Sequence, residues 1–369
     1  MTPPAQLALV LHAHLPYVRH PEAMRTLEEN WLHEAIADCY LPLLEVLGAA
    51  QARGSSCRLT LSLSPTLLSM LADPSLPERF LDYLDRRLRL CASELTHSSD
   101  SDRLRLTLWY QCLFMARRHQ FLEELGADLI GALARLCDSH QVELITTAAT
   151  HGYPPLLRSH PGAVPGQFRV GRDTFTALVG RPPTGFWLPE FGYFPGLESE
   201  IEAAGYDYSL VEAHGFHQGQ PRPPQGVYAP VLTGGVAFFG RDPDSAREVW
   251  SHAVGYPAHP DCREYYTDLG FSASRETLAD FLPPGVDAGP TGIKYHRITG
   301  RVGPKELYDP ERAVRRATED ARCFVVKRRQ LLARLPAEAR PPVIVAPFDA
   351  ELFGHWWYEG PWFLDALIR

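Results

Sequence analysis

Several features that often reveal a protein's function are scarce or missing in this chain. Its seven cysteines are odd in number and form no CxxC pair or zinc-like spacing, so we expect free thiols in a reducing compartment. No GxGxxG or Walker sequence follows an apolar run, which weakens a nucleotide-binding interpretation. No stretch approaches the roughly 20 apolar residues of a membrane span. These absences favour a cytoplasmic protein that lacks a disulfide framework, a nucleotide site and a membrane segment.

Positive charge is also limited. Lysine and arginine total 36 against 44 acidic residues, which gives a formal net charge of −8, and only three lysines occur. Because no basic patch dominates, neither a nucleic acid nor an anionic membrane is the expected partner. With 45% hydrophobic and 22% charged residues among 369, the composition is typical of a soluble globular protein.

What the chain does contain is a series of short apolar runs, each followed by polar or aromatic residues. Such runs predict buried strands of a parallel sheet. They lie at 7–11, 59–63, 142–146, 184–188, 208–211 and 343–346. Helical spacing at 31–50 and 312–334 predicts helices between strands. Strands that alternate with helices in this way indicate a parallel α/β barrel rather than a doubly wound sheet.

Three segments depart from this alternation. Residues 69–139 are almost continuously helical in pattern and too long for one crossover helix, so we expect a helical insertion within a barrel that takes up 1–369. Residues 215–240 and 283–303 are rich in glycine and proline and are predicted to be surface loops.

Two carboxylates follow predicted strands in aromatic surroundings. Glu190 ends the segment GFWLPE, and Asp349 begins DAELFGHWW. Catalytic side chains of α/β barrels gather at the C-terminal ends of strands, and retaining glycoside chemistry needs one carboxylate as nucleophile and another as proton donor. Either residue alone could instead be a helix cap or an ion-pair partner. Tryptophan faces suit sugar rings, and those near candidate site segments are Trp187, Trp250, Trp356 and Trp357.

Histidines follow three other predicted strands. His12 and His14 form an HxH pair whose side chains share one face of a strand, so they could be metal ligands. A third ligand could then come from His151, His214 or Asp349. The same histidines could equally be polar contacts for sugar hydroxyls, and the residues alone leave both interpretations open.

Six segments together resemble glycoside hydrolase family 57, in that family's order. They are LVLHAHLPYVRHPE, VELITTAATHGYPPLL, GFWLPEFGY, EVWSHAVGYP, GIKYHRITG and APFDAELFGHWWYEG. Within the family, the chain is most similar to 1,4-α-glucan branching enzymes.

The resemblance implies a (β/α)7 barrel with a helical insertion, acting on an α-1,4-glucan by a retaining mechanism without metal or cofactor. Glu190 would be the nucleophile, and Asp349 would be the general acid and then the base. Family positions that contact the substrate match His12, His14, His151, Trp250 and Trp357. Trp187, His214 and Arg241 are further candidate substrate contacts.

The two carboxylates need opposite electrostatic surroundings. The aromatic residues near Asp349 should raise its pKa and keep it protonated for acid catalysis. Glu190 must stay ionised to attack, so a cationic or hydrogen-bonding neighbour is expected, with His14 and Arg241 as the candidates.

Two departures from the branching enzymes affect the expected activity. Family members usually continue into a helical C-terminal domain, whereas this chain stops at Arg369, and their longer loop after the fifth strand carries a tyrosine, whereas Tyr228 is the only tyrosine at 215–249. We expect α-1,6 branching, with hydrolysis or 4-α-glucanotransferase activity as the alternative. Apolar surface left without that domain would favour self-association. A non-catalytic or partner-dependent glucan-binding barrel and a metal-dependent deacetylase or amidohydrolase are the further alternatives.

Overall fold

The fold is built on one curled sheet. The computed structural model describes residues 5–23, 25–251, 253–283, 285–300, 303–335 and 340–369. Within these ranges the strands are β1 (Gln6–Ala13), β2 (Leu59–Leu63), β3 (Val142–Thr147), β4 (Gly185–Trp187), β5 (Tyr208–Val211), β6 (Val231–Thr233), β7 (Val236–Gly240) and β8 (Val343–Asp349). Their order in the sheet is β6-β7-β5-β4-β3-β2-β1-β8.

Seven of these described strands run parallel and form a barrel. Only β6 is antiparallel, and it pairs with β7 at the edge of the sheet. A parallel bridge between Arg241, directly after β7, and Val345 of β8 closes the ring. The predicted (β/α)7 barrel is therefore confirmed.

All six predicted strands are present, but one predicted loop is wrong in part. Residues 215–240 contain β6 and β7, which form a hairpin that turns at Gly234 with φ 60°. The apolar run of β7, at 236–239, is only four residues long and lies between Gly235 and Gly240. Glycine is a strong loop signal, so the glycines beside β7 favoured the prediction of a loop. A strand in the barrel needs only a few residues, and β7 is short. No helix or strand lies in the described part of 283–303, as predicted.

Helices pack around the barrel. In the described ranges they are α1 (Leu27–Ala35), α2 (Leu41–Ala52), α3 (Pro65–Leu71), α4 (Leu76–His97), α5 (Ser101–His119), α6 (Leu129–Asp138), α7 (Pro154–Leu157), α8 (Ala163–Val179), α9 (Leu197–Ala203), α10 (Ala213–His217), α11 (Pro243–Trp250), α12 (Arg275–Leu278), α13 (Pro310–Leu332) and α14 (Gly360–Ile368). Short polar side chains begin several of them. The Thr26 and Ser64 hydroxyls, for example, accept the backbone N–H groups of Glu29 and Leu67.

Helices α1 and α2 are joined by a π-helical turn, Ile36–Tyr40, into one run. By length and composition alone this run, Leu27–Ala52, could cross a membrane, with a mean hydropathy of 1.2 over the relevant window. However, 67% of that window is buried inside the fold. The core helix of a barrel has the same composition, so the run is weak evidence for a membrane segment.

Helices α4 and α5 lie between β2 and β3 and pack on each other. The hydroxyl of Tyr110 donates to the Lys294 carbonyl at 2.7 Å, and the Thr107 and Tyr295 hydroxyls lie 2.8 Å apart. These bonds fasten the helix pair to the long segment that follows α12. The division of the chain into a barrel and an insertion at 69–139 stays a prediction.

Side chains inside the barrel form a floor beneath one open end. Val10, Ile145, Trp187, Leu210 and Val345, from five different strands, form one buried cluster. Side chains along a strand alternate in direction, so His12, Thr147 and Asp349, two or four positions later on β1, β3 and β8, point to the same side, above this floor. The polar strand-end residues are therefore gathered at the C-terminal mouth of the barrel.

Candidate active site

A cavity of about 420 Å³ opens at the C-terminal end of the barrel. Both predicted catalytic carboxylates lie in it. It is lined by His12, His151, Trp187, Glu190, Phe191, Glu212, Arg241, Trp250, Pro347, Phe348 and Asp349. Five of the eight predicted substrate contacts are in this set.

Asp349 ends β8 and lies directly opposite His12 of β1 in the strand register. Burial raises the pKa of its carboxyl to about 6, the charge of Glu190 adds to this rise, and Arg241 opposes it. The predicted direction of the pKa is confirmed. The cause differs in part, because the Glu190 carboxylate contributes to the rise. Of the aromatic residues near Asp349 in sequence, Phe348 lines the cavity, whereas Phe353, Trp356 and Trp357 do not.

Glu190 lies in a tight turn, Pro189–Phe191, directly after β4. Its backbone is left-handed, with φ 49° and ψ 23°, and Phe191 follows with φ 50°. Non-glycine residues in this region are strained by about 1–2 kcal/mol. The turn projects the carboxylate out of the packed layer, so that its side chain is 77% exposed at the cavity.

The neighbour of Glu190 differs from the prediction. Nε2 of His151 lies 3.8 Å from the Glu190 carboxylate, whereas Arg241 donates to Glu212 at 2.7 Å. Burial and the charge of His14 lower the pKa of His151 to about 3. His151 is therefore neutral near pH 7 and offers Glu190 a polar contact without a charge. The expectation that His14 or Arg241 would pair with Glu190 is wrong.

The three histidines of the site form a stack with Trp187. The rings of His12 and Trp187 lie 4.5 Å apart at 5°, and those of His14 and His151 lie 4.2 Å apart at 27°. Nδ1 of His12 is 2.9 Å from the Ser62 hydroxyl, while its buried Nε2 has no partner among the described residues. Burial lowers the pKa of His14 to about 4 and also lowers that of His12. Neutral imidazoles with free ring nitrogens suit hydrogen bonds to sugar hydroxyls.

The same histidines could hold a metal ion. One nitrogen from each of His12, His14 and His151 lies within 4.8 Å of the others. A zinc ion bound by nitrogen at about 2.0–2.1 Å lies close to the plane of each ring. The planes of the three histidine rings lie within 17–27° of one another, and their centroids are 4.2–5.6 Å apart. The cluster thus offers nitrogens that suit either sugar hydroxyls or a metal ion.

Helix α11 carries Trp250 to the cavity from the end of β7. Asp242 caps this helix, with its carboxylate accepting the Ser245 N–H at 2.9 Å, and Pro243 occupies the first turn. Trp250 is the last residue of the helix and is 41% exposed. An exposed indole on a capped helix is a ready surface for a sugar ring.

Two predicted substrate contacts lie elsewhere. Trp357 is 1% exposed and packs against Phe353 and Phe363, so its assignment to the cleft is wrong. His214 is exposed on α10 and does not line the cavity. His14 is also absent from the lining, although it stacks on a histidine that is part of it.

Glu212 also lines the cavity, although it was not among the predicted site residues. This residue follows β5 directly, which is the signal that could have identified it. Its bond to Arg241 holds the guanidinium at the mouth of the barrel, where the cation opposes the rise in the Asp349 pKa.

Glu351, two residues after Asp349, ties the loops of β8 and β1 together. It accepts the Tyr40 hydroxyl and, at 3.1 Å, the backbone N–H of His14, and it is 7% exposed. Burial raises its pKa to about 8.

We expect Glu351→Ala to lower the free energy of unfolding by about 2–3 kcal/mol, because the Tyr40 hydroxyl and the His14 N–H lose their acceptor. Glu351→Gln keeps an acceptor oxygen and should cost less. Urea denaturation of both variants at pH 7 measures the difference. Equal losses for alanine and glutamine would show that these hydrogen bonds do not stabilise the two loops.

Comparison with known proteins agrees with this geometry. The sequence profile described as glycosyl hydrolase family 57 matches residues 8–281. The chain belongs to this family. A 1,4-alpha-glucan branching enzyme from Thermococcus kodakarensis is 31% identical over 397 residues, which cover 98% of this chain and 55% of that protein. A probable 1,4-alpha-glucan branching enzyme from Mycobacterium tuberculosis is 32% identical, over 99% of this chain and 68% of that protein.

Solved structures show the same relationship. An alpha-amylase from Thermotoga maritima superposes with a TM-score of 0.91 at 37% identity, over 99% of this chain and 71% of the amylase. A family 57 branching enzyme from Pyrococcus horikoshii has a TM-score of 0.85 at 31% identity, over 99% of this chain and 66% of that enzyme. Proteins similar to this chain are thus named for two different activities, and the chain spans about half to two thirds of the length of several of them.

Proposed function

We propose that this protein cleaves α-1,4-glucans with retention of configuration, through a glucosyl-enzyme intermediate on Glu190. The observation that carries the proposal is that Glu190 and Asp349 line one cavity in opposite electrostatic settings. Glu190 is exposed at the cavity, whereas Asp349 has its pKa raised to about 6. One carboxylate suited to attack and one suited to proton donation are what a retaining mechanism requires.

In the first step, protonated Asp349 donates its proton to the glycosidic oxygen while the Glu190 carboxylate attacks the anomeric carbon. Glu190 then becomes a neutral ester, and its charge no longer raises the pKa of Asp349. The pKa of Asp349 therefore falls, and its carboxylate can take the proton from the hydroxyl that attacks the intermediate. The second step releases Glu190 and protonates Asp349 again.

The surrounding residues would hold the sugar during both steps. The free Nε2 of His12 and the neutral ring of His151 can bond sugar hydroxyls at the bottom of the cavity. The exposed face of Trp250 would cover the apolar side of a glucose ring at the cavity wall.

We propose that the acceptor is the 6-hydroxyl of a glucan, so that the outcome is α-1,6 branching. The names of the curated relatives, at 31–32% identity, support this outcome. Hydrolysis is the second candidate. It is favoured by the 77% exposure of Glu190, which would leave the intermediate open to water, and by the likeness to the T. maritima amylase.

Products formed from amylose test the proposal. We expect α-1,6 anomeric signals to rise in proton NMR spectra while reducing ends stay nearly constant. Rising reducing ends without α-1,6 signals would mean hydrolysis, and altered chain lengths with neither would mean α-1,4 transfer. Unchanged amylose would overturn the proposal and leave glucan binding as the function. A parallel sample treated with a chelator should react at the same rate, because no step uses a metal ion.

A further inference from the structure

We propose that Trp356 and Tyr265 form a second carbohydrate platform outside the cavity, which binds an α-1,4-glucan chain beyond the glucose units at the catalytic carboxylates. This proposal rests on the proposed function, because it assumes a glucan long enough to leave the cavity. Neither residue lines that cavity.

The two rings form a stacked pair with an open face. Their centroids lie 4.4 Å apart at 22°, and Trp356 is 52% exposed although one side packs on Tyr265. Tyr266 stands at 90° to Tyr265, with centroids 5.2 Å apart, and is 80% exposed. The exposed indole face offers a sugar ring an apolar surface, and the exposed phenol of Tyr266, on the other partner of the pair, adds a hydroxyl.

Interactions beneath the pair hold it in place. Nζ of Lys294 lies 4.0 Å from the centre of the Tyr265 ring and donates to the Tyr265 carbonyl at 2.6 Å. Because the ammonium and the indole cannot occupy the same side of the phenol ring, Tyr265 is held from both faces. Its hydroxyl also lies 3.3 Å from Nε2 of His355. A fixed aromatic surface loses little side-chain entropy when it binds a ligand.

The loop that carries Trp356 begins at the proposed acid. The backbone N–H of Trp356 donates to the Glu351 carbonyl at 3.2 Å, and the Glu351 side chain accepts the N–H of His14. Glu351 thus connects the platform to the loop after Asp349 and to the loop after His12. Lys294, whose ammonium lies over the Tyr265 ring, is only 7% exposed. The accessible surface of the platform is therefore aromatic and suits an uncharged ligand.

Binding measured without turnover tests the platform. In a Glu190→Gln background, calorimetric titration with maltoheptaose would compare Trp356→Leu with Trp356→Phe. Leucine keeps an apolar contact with Tyr265 but has no flat face, whereas phenylalanine keeps one. We expect Kd to rise about three- to tenfold for the leucine variant and clearly less for the phenylalanine variant. Equal effects of the two substitutions, or no effect of either, would overturn the proposal.

A second measurement needs no substitution at Trp356. Maltoheptaose should protect Trp356 of the Glu190→Gln protein from oxidation by N-bromosuccinimide, as read by peptide mass spectrometry, and an unprotected Trp356 would also overturn the proposal. Failure of the proposed function would be seen differently. Either the parent protein would not turn over amylose, or the Glu190→Gln protein would still do so. An inactive parent protein would leave the maltoheptaose titration unchanged.

Discussion

Glu190→Gln is expected to lower kcat/KM on amylose by at least about 10³-fold, because the amide cannot form the covalent intermediate. The loss should arise without unfolding, since the side chain is 77% exposed and accepts no hydrogen bond within the described structure. The thermal midpoint of the variant, measured beside its activity, is the control. Activity within tenfold of the parent would remove Glu190 from the mechanism.

The backbone at Glu190 makes a glycine variant more informative than glutamine. Glycine adopts the left-handed region without strain, so Glu190→Gly should be about 1 kcal/mol more stable than the parent while it loses activity. The space left by the side chain can also admit azide. Attack by azide from the side of the missing carboxylate would give a glucosyl azide of inverted configuration from an activated α-glucoside. Formation of the α-azide instead would contradict a nucleophile at this position.

Asp349→Asn is expected to lower kcat/KM on amylose by about 10²–10⁴-fold, the usual contribution of a general acid. The parent must hold Asp349 protonated, and its pKa is about 6, so kcat/KM should fall as pH rises above about 6. The variant should lack this fall. An aryl α-glucoside with an acidic phenol needs less protonation and should lose less activity. A retained fall near pH 6 in the asparagine variant would assign the titration to another group.

The same substitution should raise stability in a defined pH range. The pKa of Asp349 is about 6 in the folded protein against an ordinary 3.8, so the folded state binds this proton more tightly. Stability is therefore unaffected by this group below about pH 4 and decreases as pH rises towards 6. Above pH 6 the full penalty applies, at most about 3 kcal/mol, and Asp349→Asn removes it. Urea denaturation at pH 4 and pH 7.5 would show the gain only at the higher pH.

Much of the barrel could be predicted because its strands are buried on both faces. Short runs of mostly apolar residues, such as those of β2 and β5, predict buried strands, and the predicted bounds match the observed ones. The closing strand β7 was missed because four apolar residues between two glycines resemble a loop. A local sequence pattern cannot predict that β8 needs a neighbouring strand to close the barrel, because that requirement arises only in the complete fold.

The site divides in the same way. Side chains at strand ends, such as Asp349 and His12, were placed correctly because strand direction fixes where they point. Residues beyond a turn were not. Trp356 and Trp357 are neighbours in sequence, yet one is 52% exposed and the other 1%, and Gly354 with φ 117° reverses the chain just before them. Pairing of charges was also unpredictable, since Arg241 meets Glu212 only after two strands have come together.

The barrel closes between β7 and β8 through few hydrogen bonds, and this seam affects the dynamics of the site. In the described structure one bridge, Arg241 to Val345, links the end of β7 to β8, with the Asp242 N–H donating to the Val345 carbonyl at 2.8 Å. Local opening follows the lines of fewest hydrogen bonds, so amide exchange at Asp242 should report the barrel's lowest-energy opening. Arg241 and Asp349 lie on opposite sides of that seam. Each opening would move Arg241 away from Asp349. The pKa of Asp349 would therefore rise when the barrel opens between β7 and β8.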